Sequence, residues 1–286
     1  MANEAAVLRG VQKQYKDFTL GPIDLTVPTG TIVGLVGENG AGKTTTLKLL
    51  CGVNPADAGE ITLLGSRPTD TAARARLGVV FEDAYFYGGL TAGHIGKSMA
   101  GIFGSRWNAG QFADLLERFG LDARKKVSEY SRGMRMKLSL ATALAHNPDL
   151  LVLDEATAGL DPVVRAEMLD LFLEFIQDEG HSILMSSHIT SDLEQVADSI
   201  AYLHHGKLLF HEDKDALLQE YGLLRCSRSQ LEKLPAGSVV YTREGAFGCE
   251  SLVKGRTGVQ QLLPEAVCDP AAIDDIMRFY SGRDAQ

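Results

Sequence analysis

Gly37-Glu38-Asn39-Gly40-Ala41-Gly42-Lys43-Thr44-Thr45 matches the pattern G-x-x-x-x-G-K-[ST], and the rest of the chain can be read outward from it. Its glycines permit a concave loop whose backbone N–H groups converge on a phosphate chain, a path that Cβ atoms would obstruct. In that pattern Lys43 reaches the β- and γ-phosphates and Thr44 offers a hydroxyl to Mg²⁺. The helix that follows aims its positive dipole end at the same anion. Such a motif carries weight only between a strand and a helix. Thr31 to Val36 is a short β-branched run that reads as the strand, and Lys43 to Leu50 places Leu47 and Leu50 on one helical face.

With 286 residues, 45% of them hydrophobic, the chain can bury one large α/β core with a small appendage. The formal net charge of −9 argues against a nucleic-acid surface, whose affinity comes from Lys and Arg on phosphates. Phosphate binding is therefore expected to be local. Cys51, Cys226, Cys249 and Cys268 form no C-x-x-C pair, which predicts neither a zinc site nor a disulfide framework but reduced thiols in a cytosol. Met1 to Glu4 show no basic region followed by an apolar run, and no stretch approaches a membrane span of about 18 apolar residues. A soluble, cytosolic chain is the expectation, which leaves room for a membrane partner.

In chain order, Phe18, Leu20, Ile23, Leu25 and Val27 alternate through a Gly21-Pro22 turn and predict a small antiparallel sheet. Tyr15, between Lys13 and Lys16, reads either as a face for a nucleotide base or as ordinary sheet packing. Glu60 to Gly65 and Gly78 to Phe81 read as strands, the second ending on Glu82-Asp83. From Tyr85 to about Ala145 the apolar period becomes helical, as in Phe112, Leu115, Leu116 and Phe119, and predicts a helical insertion over about 86–145. Strand texture returns at Asp149 to Glu155, a continuous apolar run that reads as a central strand buried on both faces. A helix from Pro162 to Asp178, a strand ending in Ser186-Ser187-His188 and a hairpin around His205-Gly206 follow. The core is expected over 5–221. Residues 222–286 read as a small α+β appendage, with strand at Val239 to Tyr241 and Asp269-Pro270 capping a helix whose Ile273, Ile276, Met277 and Tyr280 form one stripe, read most simply as packing within that appendage and otherwise as support for a dimer.

A phosphate loop followed by a strand that ends in Asp predicts a Mg-nucleotide site, with Thr44 and Asp154 positioning the metal. Glu155 comes next. From spacing alone it reads equally as the group that polarises an attacking water and as an idle acid.

The ordered set formed by Tyr15, the Gly37–Thr45 loop, Glu82, Tyr130-Ser131-Arg132-Gly133-Met134, Leu150 to Glu155, Ala158-Gly159-Leu160-Asp161 and His188 resembles the nucleotide-binding subunit of an ABC transporter over about residues 5 to 220. The appendage is similar to the C-terminal extensions of some bacterial export ATPases. The resemblance implies a P-loop NTPase fold, α/β, with a mostly parallel core sheet, an N-terminal antiparallel β subdomain and a helical subdomain. It implies ATP and Mg²⁺ as ligands, with Tyr15 on adenine, the loop and Lys43 on the phosphates, and Thr44, Asp154 and Glu82 at the metal. Glu155 would be the general base, His188 would hold the γ-phosphate and water, and Asp161 would communicate between subunits. Ser131 and Gly133 would meet the γ-phosphate bound by a second ATPase subunit, in a homodimer or a heterodimer closed by ATP. A helix N-terminus with a hydroxyl and a glycine is by itself an anion site, which the helical insertion would hold away from its own loop.

The implied function is an ATPase that drives a separate integral membrane permease, for export, from the cytoplasmic face of the membrane. Glu82 to Tyr87 lie where that family receives a helix of the permease, and the aromatics Tyr85, Phe86 and Tyr87 read either as that docking surface or as core. The competing reading is an ABC-type ATPase with a mechanical or regulatory role and no transport. A non-hydrolysing P-loop protein would require Glu155 to be idle. Three positions depart from the family's usual pattern: Glu82 where Gln is common, the altered signature Tyr130 to Met134, and Ala158 where Ser is common. Glu82 can still ligate Mg²⁺ but adds negative charge beside Asp154 and Glu155. The six other histidines lack carboxylate or thiolate neighbours at ligand spacing and read as solvated or capping groups.

Overall fold

The computed structural model describes residues 4–82, 86–245 and 248–281. β1 (Glu4–Gln14) and β2 (Thr19–Pro28) pair antiparallel, with Leu8 opposite Leu25 and Val11 opposite Ile23. β3 (Ile32–Val36) is buried throughout and leads through the glycine-rich loop into α1 (Lys43–Leu50). β4 (Ala58–Leu63) returns to pair with β1, so the first sheet has the order β2-β1-β4. The short helix α2 (Thr71–Arg74), capped by the Asp70 side chain, leads into β5 (Leu77–Val80).

The next segment is helical, as its period requires: α3 (Ala92–Phe103), α4 (Ala109–Arg118) and α5 (Arg132–Leu144). Each starts on a side-chain cap, from Thr91, Asn108 and Ser131 respectively, which satisfies one of the orphan N–H groups of the first turn. Phe112, Leu115, Leu116 and Phe119 are all buried in the core that these helices share with the central sheet. Burial of each such side chain contributes about 1.5–3 kcal/mol relative to exposure.

β6 (Leu150–Asp154), α6 (Pro162–Phe175), β7 (Ser182–Ser187), α7 (Thr190–Val196), β8 (Ser199–His204) and β9 (Lys207–Asp213) complete the central sheet and its cover. The strand order is β5-β6-β7-β3-β8-β9, parallel except for the β8–β9 hairpin that turns at His205-Gly206. β6 and β7 are buried at every position, which explains apolar runs without alternation. Asp154 lies in register with Ser186, and Val36 with Ser187. The loops after β3, β6 and β7 therefore open side by side at the carboxyl edge of the sheet, where open α/β sheets bind ligands.

After α8 (Lys214–Glu220) a second antiparallel unit follows: β10 (Tyr221–Cys226), α9 (Arg228–Leu231), β11 (Val239–Gly245), β12 (Gly248–Lys254), α10 (Arg256–Leu262), β13 (Val267–Pro270) and α11 (Ile273–Ser281). Its sheet has the order β11-β12-β10-β13. Two expectations for this unit are corrected. Asp269 and Pro270 do not cap a helix but lie in β13, where Pro is tolerated because the strand is at the sheet edge and pairs with β10 alone. The stripe on α11 packs beyond its own unit. The Tyr202 hydroxyl of β8 meets Ser281 Oγ at 2.8 Å, the Ile273 N–H donates to Glu194 Oε1 of α7 at 2.8 Å, and the Tyr280 ring stands edge-on to Tyr202.

Candidate active site

Residues Gly37 to Thr45 join β3 to α1 as their pattern requires. Gly42 holds the left-handed φ of +109°, and a Cβ there would come within 2.6 Å of Leu20 Cδ1. At Gly37 a Cβ would strike the carbonyl oxygen of Leu203. Glycine is thus required at both positions, once for conformation and once for close approach. The loop borders a cleft of about 210 Å³ lined by Phe18, Glu38, Lys43, Thr44, Glu82 and Glu155, among others. Ala41 lies buried behind it, while Thr44 at the first turn of α1 is exposed toward solvent.

Lys43 is the first residue of α1 and is buried. Its Nζ donates to the Gly37 carbonyl at 2.7 Å and pairs with Glu155 Oε1 at 3.1 Å. The other carboxylate oxygen of Glu155 lies 2.6 Å from His188 Nδ1, and the His188 backbone N–H donates to it at 3.3 Å. Glu155 is itself buried and holds a φ of +51°, uncommon for a residue with a side chain. Its N–H donates to the Ser186 carbonyl oxygen, which fixes the turn that follows β6. Lys43 starts α1, while Glu155 and His188 follow β6 and β7, yet the three form one hydrogen-bonded chain across the cleft.

Asp154 ends β6, is buried, and accepts from Ser186 Oγ at 2.6 Å. The donor set around the cleft suits MgATP: an ammonium and a helix N-terminus for phosphate, and hydroxyl and carboxylate oxygens from Thr44, Asp154 and Glu82 for a hard cation. Among the described residues, no cluster of three or more His, Cys, Asp or Glu side chains forms a metal site without such a ligand.

Ser131 and Gly133 do not line this cleft. Ser131 caps α5, accepting from the Met134 N–H at 3.2 Å, and Gly133 packs near Leu160 and Val164. Asp161 caps α6 through the Val163 and Val164 N–H groups. Tyr15 is 40% exposed and stands outside the cleft, stacked at 6.5 Å on Phe18, which does line it. Glu82 lines the cleft and accepts from Arg132 at 3.0 Å. Of the three aromatics after Glu82, Tyr85 falls outside the described residues, Phe86 packs against the core, and Tyr87 is 78% exposed.

The ABC transporter family model matches residues 20–158. The lantibiotic transport ATP-binding protein SrtF of Streptococcus pyogenes is 32% identical over 211 residues, 73% of this chain and 90% of that protein. The chain belongs to the ABC transporter family. The bacitracin transport ATP-binding protein BcrA of Enterococcus faecalis is 36% identical over 202 residues, 69% of this chain and 65% of BcrA. An uncharacterised ABC transporter ATP-binding protein of Synechocystis is 37% identical, and the match spans only 58% of its length. A solved ATP-binding subunit of an ABC transporter superposes with a TM-score of 0.69 at 27% identity, covering 75% of this chain and 92% of that one. The fold is that of an ABC-type P-loop domain with an added C-terminal unit.

Within this ABC domain, three contacts were not foreseen from the sequence. Ser186 anchors both Asp154 and the Glu155 backbone, Phe18 rather than Tyr15 presents its ring to the cleft, and Arg132 reaches Glu82. The polar end of the Ser182–His188 run was a usable signal for Ser186. Phe18 and Arg132 depend on how separate segments meet, which no local pattern encodes.

Proposed function

We propose that this chain is an ATPase subunit that hydrolyses MgATP in a dimer closed by ATP and powers a separate membrane permease, in the direction of export. The observation that carries the reading is Glu155, buried at the cleft between Lys43 and His188. A carboxylate so held can accept a proton from a water aligned on the γ-phosphate, with His188 orienting the pair. An incoming phosphate chain competes with Glu155 and the Gly37 carbonyl for Lys43, so occupation of the loop would free the Glu155 oxygen that Lys43 now holds. Mg²⁺, held by Thr44, Asp154 and Glu82, would supply neutralisation of phosphate charge.

Dimerisation is supported by Ser131 and Gly133 at the N-terminus of α5, an anion-binding end whose hydroxyl and glycine do not line the cleft of their own chain. A permease contact is supported by a groove of about 370 Å³ lined by Leu77, Val79, Phe86, Met99, Phe103 and His146, beside Glu82 and the exposed Tyr87. Relatives named for transport of bacitracin and of a lantibiotic support transport as the work done. Among the described residues no helix is long and apolar enough to cross a membrane, so attachment to the cytoplasmic face would run through the permease.

The test is Mg²⁺-dependent ATP turnover by the purified chain, beside Glu155→Gln. Loss of turnover with ATP-stabilised dimers, seen by light scattering, is the expected result. An unchanged rate in Glu155→Gln would overturn the assignment.

A further inference from the structure

None of the steps above uses the ion pair between Arg132 and Glu82. Glu82 follows β5 and lines the phosphate cleft, while Arg132 is the first residue of α5. Arg132 Nη2 donates to Glu82 Oε1 at 3.0 Å, with both side chains 43% exposed. The guanidinium also lies against Gly159, where a Cβ would sit 3.0 Å from Nη1 and 3.2 Å from Cζ. One side chain at the start of α5 therefore touches both Glu82, in the segment after β5, and the loop between β6 and α6.

Charge explains why that contact matters. β5 and β6 are parallel neighbours, with Val80 in register with Leu153, so Glu82 emerges beside Asp154 and Glu155. Together with Glu38, which also lines the cleft, these carboxylates repel an incoming anion and one another unless cations offset them. Among the described residues lining the cleft, Lys43 is the one cation, and it is engaged by Glu155. Arg132 supplies the second positive charge from outside the cleft, paired with Glu82.

We propose that Arg132 is a positioning residue for Glu82: it holds that carboxylate at the rim of the phosphate cleft, offsets its charge toward ATP, and so ties the start of α5 to the nucleotide site of its own chain. Glu82 and Arg132 are then two departures from the family pattern that compensate each other. The inference rests on the nucleotide-site reading above.

A double-mutant cycle on the full chain tests it, with Arg132→Ala, Arg132→Lys, Glu82→Gln and Arg132→Ala/Glu82→Gln. The readouts are the Kd for a non-hydrolysable ATP analogue with Mg²⁺ and, without nucleotide, hydrogen exchange of the first-turn amides of α5. Arg132→Ala is expected to raise Kd and speed exchange by about threefold, the scale of an exposed charge pair. Arg132→Lys restores most of the affinity, and with Glu82→Gln in place Arg132→Ala moves neither quantity by as much as about 1.5-fold, since the pair is already broken. Equal effects of Arg132→Ala in both backgrounds, or no effect in either, would overturn the proposal. If the unmodified chain fails to bind the analogue, the nucleotide reading falls, and the exchange cycle still decides whether the pair positions α5.

Discussion

His188 Nδ1 lies 2.6 Å from Glu155 Oε2, while the His188 ring is half-exposed and the Glu155 carboxylate is buried. The histidine thus forms the solvent side of a carboxylate whose inner oxygen faces Lys43. Removing the imidazole leaves Glu155 in place but without its outer partner, so the effect should fall on the chemical step. For His188→Ala we expect kcat to drop by at least about tenfold, with nucleotide Kd changed less than about threefold. Steady-state turnover beside equilibrium binding separates the two.

Lys43→Ala removes the buried ammonium that the loop holds against the Gly37 carbonyl. Charge-assisted contacts to phosphate are among the stronger polar interactions, so nucleotide affinity should fall by more than about tenfold. Calorimetric titration with the ATP analogue reads this directly, and affinity equal to that of the unmodified chain would contradict the role given to Lys43.

His146 provides a pH test of the groove beside Glu82. It is buried, stacks on Phe103 at a centroid distance of 3.9 Å, and places Nε2 at 3.1 Å from the Leu77 carbonyl oxygen. Burial holds its pKa below the ordinary histidine value, because the charged ring would lose hydration. The unfolded chain therefore binds the proton more readily than the folded one. Stability is fully present above about pH 6.5, the unfolded value, and is lost as pH falls through the folded value. Urea unfolding at pH 7.5 and 5.5 should show that loss, and His146→Phe should shrink the difference in stability between the two pH values.

The C-terminal helix is predicted to stabilise the core as well as its own unit. Phe279 is fully buried, lies under the Arg243 guanidinium at 4.8 Å, and meets Tyr241 edge-on. Phe279→Ala should cost about 3–5 kcal/mol. Since α11 also meets Tyr202 and Glu194 of the core, the fluorescence of Trp107, in the helical segment, should report a lower urea midpoint. An unchanged midpoint at Trp107 would show that the two units unfold independently.

Much of this architecture was legible in the chain. The loop from Gly37 to Thr45, the helical period through Phe112 and Phe119, the apolar run into Asp154 and the hairpin at His205-Gly206 all stand where their patterns placed them. These are local features, set by backbone preference and by the period of apolar residues. The misreadings share one cause. Pro270 looks like a helix start by its neighbours, and only the pairing of β13 along the open edge of β10 makes it a strand residue. The stripe on α11 shows that a face is buried but not which partner covers it.

The sequence by itself determined the phosphate loop, the class of fold and the residue types available for chemistry, because these follow from short-range geometry. The tertiary structure decided which of them meet. The strand order β5-β6-β7-β3 brings Lys43, Glu82, Glu155 and His188 to one edge from four separate segments of the chain. The way α5 docks on that edge sets Arg132 against Glu82. Register and docking arise from burial of apolar surface summed over the whole core, so no single stretch of the chain carries them.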